Sequence, residues 1–266
     1  GYHPRIAGKP APRRDWQRPY TPLTVQETRS GDAPLTDYRA QWLAGGFPDA
    51  LAAAEFVVSL SPYDSAKAYA DVILPIGTWV LESVCRDLAA WRAEGRSVVP
   101  VAVNLSALQF RRTDFVATVS DILHRHDLPA ELLVLEVTES MVMRDVERAA
   151  RQLGELKALG LSIAVDDFGT GYSSLAYLKR FPLDKLKVDQ SFVREINAGP
   201  GDRAIVAAIV GLGHTLGLSL VAEGVETEDM AETLRSLGCD LLQGWLFGRA
   251  EPSPVFAARL SGLPRP

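Results

Sequence analysis

The sequence predicts an α/β protein built on a parallel sheet, and three observations carry that expectation. From about residue 76 onward, short runs of Val, Leu, Ile and Ala alternate with longer segments of helical period. The apolar runs are nearly continuous, the pattern of strands covered on both faces. Each run also ends on an acid, an amide or a lysine. Such alternation means an open doubly wound sheet or a closed (β/α)₈ barrel. A barrel carries its active site at the C-terminal ends of its strands, where these polar residues fall.

The elements follow in order. Residues 1–50 hold seven prolines and scattered Arg and Asp, so they read as an extended or disordered segment. EFVVSL (55–60) and DVILP (71–75) are short apolar runs of strand type. Residues 77–95 have helical period and stop at Gly95. Strands are then expected at 98–106, 132–140, 161–169, 184–189, 218–226 and 239–247. Helices are expected at 114–126, 144–159 (ending at Gly160), 173–180, 201–216 and 227–237. The resulting division is a segment 1–50, a segment 51–75, a barrel-like domain 76–255 and a tail 256–266.

The composition narrows the function. The chain has 266 residues, is 47% hydrophobic and carries a net charge of −5. It has no basic excess to hold duplex nucleic acid or an acidic membrane surface. Cys85 and Cys239 have no metal-ligand spacing, so a reducing cytoplasm is the expected compartment. Opening at Gly1 rather than Met, the chain reads as a processed product or a fragment. Weaker motifs fail: DFG (167–169) lacks the other kinase words, and no GK[ST] makes a phosphate loop.

The strand ends carry the chemistry. In order they are Asn104, Glu136 with Glu139, Asp166 with Asp167, Lys187 with Asp189, Glu223 with Glu226, and Gln243. Singly, each has an ordinary explanation: Asn104 as a helix cap, Asp166–Asp167 as a turn, Lys187 as a surface charge. Jointly, they crowd carboxylates on one rim, and divalent cations offset that repulsion. Hard oxygen donors suit Mg²⁺ or Mn²⁺, and two such ions about 4 Å apart suit displacement at phosphorus. Lys187 and Asp189 sit two apart and so face the same way.

With WVLESVCRDLAAW, VAVNLSALQF, LEVTES, VDDFGTGYSSLAYLKRFPLDKLKVDQSFV, VAEGVET and CDLLQGWLFGR in this order, residues 75–250 resemble the EAL family of cyclic di-GMP phosphodiesterases. The resemblance implies a modified TIM barrel. It implies metal binding at Asn104, Glu136, Asp166 and Asp167, with Lys187 and Glu223 at the catalytic water and metals. Asp189 and Gln243 would line the site, and Glu139 would anchor the loop DFGTGYSS, tied in the family to dimerisation. The implied reaction is Mg²⁺- or Mn²⁺-dependent hydrolysis of cyclic di-GMP to pGpG.

The match has a gap. The family's opening strands, with the E-A-L glutamate and a following arginine, do not occur in residues 1–74. AEFVVSLSPYDSAKAYADVILPIGTW (54–79) instead resembles a segment of molybdopterin-type oxidoreductases and the NADH dehydrogenase large subunit. An incomplete barrel is therefore expected. Three functions fit it: an active phosphodiesterase, a module that binds cyclic di-GMP or a protein without hydrolysis, and a chimeric product without activity.

Overall fold

The computed structural model describes residues 66–169 and 178–260, with side chains from residue 73 onward. The segment 1–50, the strand expected at 55–60 and most of the helix expected at 173–180 lie outside these residues. The chain divides between Tyr69 and Ala70, and the whole sheet belongs to the second unit, Ala70–Pro266.

Among the described residues, six parallel strands form one sheet: β1 (Val101–Asn104), β2 (Leu133–Thr138), β3 (Ser162–Phe168), β4 (Lys185–Val188), β5 (Ser219–Ala222) and β6 (Leu241–Leu242). Their spatial order equals their sequence order. A doubly wound sheet reverses its order at a switch point, whereas this one winds in a single direction, as a barrel does. The helices between strands are α2 (Ala107–Phe110), α3 (Phe115–Arg125), α4 (Glu139–Met143), α5 (Val146–Ala158), α6 (Gln190–Arg194), α7 (Pro200–Thr215) and α8 (Glu228–Ser236). The array opens with α1 (Ala66–Ala93) and closes with α9 (Ser253–Leu260), which runs into the segment expected to be a tail.

Local chemistry explains the boundaries. Ser106 caps α2 in a reciprocal pair with Gln109, so the cap is Ser106 rather than Asn104. Asp145 and Thr227 accept backbone N–H groups at the starts of α5 and α8. Gly160 ends α5 in the left-handed region, at φ 97°.

Two expected elements are corrected. DVILP is not a strand: it lies inside α1, ahead of the helix expected from residue 77. Ile73, Ile76, Leu81, Cys85 and Leu88 recur at helical spacing, and all are buried. Burying that stripe outweighs the helix hydrogen bond that Pro75 removes. The Thr78 hydroxyl, one turn on, donates to the Leu74 carbonyl. The strand expected at 239–247 is only Leu241–Leu242, because the chain turns at Gly244, whose carbonyl accepts from Phe247 and Gly248.

The core lies between sheet and helices. Leu133, Val134, Leu135, Glu136 and Val137 of β2 are all buried, so both faces of that strand are covered. The first and last helices meet: the Trp91 and Phe256 rings are 5.7 Å apart, and Arg96 donates to the Ala257 carbonyl at 2.6 Å. Inside the curl is a cavity of about 630 Å³, lined by Ala102, Val134, Ala164, Lys187, Leu241 and Phe247 among others. A complete TIM barrel fills this space with layers of side chains. Here Leu241 remains 47% exposed. No helix among the described residues is long and apolar enough to cross a membrane.

Candidate active site

Parallel strands in register bring their C-terminal ends to one rim. Asn104 lies opposite Glu136, Thr138 opposite Asp166, and Lys187 opposite Val221. Alternation then aims Asn104, Glu136, Asp166 and Lys187 at the same side of the sheet. Glu223 follows β5 directly, and its N–H donates to the Val188 carbonyl at 3.2 Å.

Lys187 is the centre of the rim. It is 2% exposed, and its Nζ lies 2.8 Å from Glu136 Oε2, 3.1 Å from Asp166 Oδ1 and 2.5 Å from Glu223 Oε1. Burial pulls its pKa down, but the hydrogen bonds and charges of Glu136 and Glu223 outweigh it and hold the ammonium protonated. Burial pushes the Glu223 carboxyl above its ordinary range, against the pull of Lys187.

Asp166 and Asp167 are neighbours on one strand and would ordinarily face opposite ways. The register of β3 on β4 shifts between Val165 and Phe168, and Asp167 takes a left-handed backbone at φ 55°. Aspartate is among the few side chains that tolerate this conformation. The bulge turns both carboxylates to the rim, where Asp166, Asp167 and Glu223 offer oxygens within 4.8 Å of one another. The Asp167 carboxyl is raised, first by burial and then by the charges of Asp166 and Asp189.

The remaining expected residues flank this centre. Asp189 caps α6, accepting from the Ser191 N–H at 2.9 Å. Buried Glu139 begins α4, and its Oε2 accepts from the Gly169 N–H at 3.3 Å. Residues 170–174 of the loop DFGTGYSS lie outside the described residues. Gln243 lines the central cavity and also a second hollow of about 430 Å³. That hollow joins Glu223 and Gln243 to Arg194, Glu226, Trp245 and Arg249. The Arg249 guanidinium lies 4.4 Å from the Trp245 ring centroid. Arg194, Trp245 and Arg249 were not singled out from the sequence, since nothing local marks a residue of α6 as a neighbour of the turn after β6.

The family profile of the EAL domain matches residues 58–250. The chain belongs to the EAL domain family. Over 190 residues this EAL domain is 49% identical to the bifunctional diguanylate cyclase/cyclic di-GMP phosphodiesterase MucR of Pseudomonas aeruginosa, covering 71% of this chain and 28% of that protein. It is 45% identical over 174 residues to the cyclic di-GMP phosphodiesterase NbdA of the same organism, covering 65% of this chain and 22% of that one. The chain thus spans about a quarter of these relatives. Among solved structures, the PaMucR phosphodiesterase in complex with c-di-GMP superposes with TM-score 0.67 at 50% identity, covering 69% of this chain and 74% of that one. The manganese/cyclic di-GMP complex of Klebsiella pneumoniae BlrP1 does so with TM-score 0.62 at 33% identity, covering 77% and 49%. The parallel sheet and its helices are those of an EAL domain, a TIM-barrel-like fold.

Proposed function

We propose that this EAL domain hydrolyses cyclic di-GMP to linear pGpG with two divalent cations, Mg²⁺ or Mn²⁺, at the rim of the sheet. The observation that carries this reading is the convergence of Asp166, Asp167 and Glu223 around buried Lys187. The donor set is carboxylate oxygen with the Asn104 amide alongside, which suits hard cations. When bound, the cations would polarise the phosphodiester and acidify water.

Asn104, Glu136, Asp166 and Asp167 would hold the cations. Lys187 keeps a positive charge where negative charge develops at phosphorus. Glu223, its carboxyl raised by burial, suits proton transfer from the attacking water. Asp189 and Gln243 would border the substrate, and Glu139 would steady the start of the loop through Gly169. The same reading includes a bacterial cytoplasmic location and a homodimer.

A second reading rests on the sequence gap. The E-A-L word and its arginine are missing from residues 1–74, which favours binding of the dinucleotide without hydrolysis. The test incubates the chain with cyclic di-GMP and Mn²⁺ or Mg²⁺ and follows pGpG by chromatography, with Asp166→Ala as control. Product that disappears in the control supports hydrolysis. Saturable binding without product supports the receptor reading, and neither result with folded protein rejects both.

A further inference from the structure

Lys187 is among the largest fully buried side chains among the described residues, on a strand where its neighbours Leu186 and Val188 are apolar. An ammonium group has three N–H donors. Here three carboxylate oxygens lie within 3.1 Å of it, on Glu136 of β2, Asp166 of β3 and Glu223 after β5. One cation therefore ties together three elements and leaves the second oxygen of each carboxylate for other partners. Without it, three carboxylates and Asp167 would crowd a site only partly open to water, and such charges repel strongly.

We propose that Lys187 is an internal placeholder cation: it holds Glu136, Asp166 and Glu223 converged before metal arrives, so that loading trades part of their charge from Lys187 to the incoming ions. This goes beyond a role at the water or the phosphate and makes Lys187 a positioning residue for the carboxylates. It rests on the two-cation reading only in its second half, since the three ion pairs of the clamp are made by the chain's own residues.

The experiment compares the full chain as wild type, Lys187→Met and the double variant Lys187→Met/Glu223→Gln. Each is melted in chelator and titrated with Mn²⁺ by calorimetry. Leaving a buried carboxylate set without its partner should lower the melting temperature of Lys187→Met in chelator by about 10 °C. The double variant should recover most of that loss, because one uncompensated carboxylate is gone. Mn²⁺ should bind Lys187→Met at least threefold more tightly than wild type and raise its melting temperature by more. The proposal is overturned if Lys187→Met melts like wild type in chelator, if the double variant recovers nothing, or if Mn²⁺ affinity does not rise. Should Mn²⁺ bind none of the three proteins, the two-cation reading and the metal exchange fail together, and the chelator melts decide the clamp alone.

Discussion

Asp167 donates its backbone N–H to the carboxylate of its neighbour Asp166 at 3.0 Å, while its own backbone sits in the left-handed region at φ 55°. The left-handed dihedral swings the Asp167 carboxylate toward the face Asp166 already occupies, and the Asp166 carboxylate is held there by the Asp167 N–H.

Two substitutions separate the charge from the backbone at this point. Asp167→Asn keeps a side chain that tolerates φ 55°, so the melting temperature should stay within about 2 °C of wild type while Mn²⁺ affinity falls at least tenfold. Asp167→Val places a β-branched residue in that region and should cost about 1–3 kcal/mol. Chemical denaturation and calorimetric Mn²⁺ titration check the pair. Equal stability of Asn and Val variants would show that the left-handed turn is not what holds the two carboxylates together.

Gly244 sets how closely the turn after β6 approaches the turn after β5. A Cβ there would lie 2.2 Å from the Val225 carbonyl oxygen and 2.3 Å from its nitrogen, and backbone atoms cannot step aside as a flexible side chain can. Gly244→Ala should lose at least ~2 kcal/mol by urea denaturation and should also weaken ligand binding in the hollow beside Gln243. A variant as stable as wild type would mean that the two turns separate freely.

Asp240 supplies a pH dependence unconnected with the rim. Its carboxylate accepts the Leu220 N–H at 2.7 Å and lies 3.0 Å from His214 Nε2. The Leu220 hydrogen bond, followed by His214, holds its carboxyl below the ordinary 3.8. A depressed folded-state pKa gives stability that is present above the unfolded value and disappears as the pH falls through the folded one. The melting difference between wild type and Asp240→Asn should therefore be full at pH 6, shrink below about pH 4 and vanish under further acidification. A difference independent of pH would show that the carboxylate charge contributes nothing.

Cys85 and Cys239 are both buried, and burial pushes each thiol up to about 11. The thiolate is the reactive form, so at pH 8 both should resist a thiol reagent in the folded chain and react together on unfolding. Rapid labelling of either one in native buffer would place it at the surface. Timing that release against loss of helical signal also gives an unfolding rate without touching the rim.

Much of this protein was legible in its residues. Near-continuous apolar runs placed β1 to β5 within a few residues, because strands covered on both faces leave little room for polar side chains. The polar residues closing those runs named the rim, and a parallel sheet carries all such ends to one side. The words around Asp166–Asp167, Lys187 and Glu223 led to the EAL family. Other features required the fold. DVILP reads as a short strand, and only the burial of Ile73 and Ile76 with the stripe running to Leu88 decided for helix. Alternation along β3 sets Asp166 and Asp167 on opposite faces, and only the bulge against β4 brought them together. The sequence likewise places Lys187 merely on the rim. Its three carboxylate partners come from β2, β3 and the turn after β5, and no local pattern records a meeting of residues that far apart in the chain. Which side chains lie near one another along an element is set by dihedral period; which meet across elements is set by how the sheet curls.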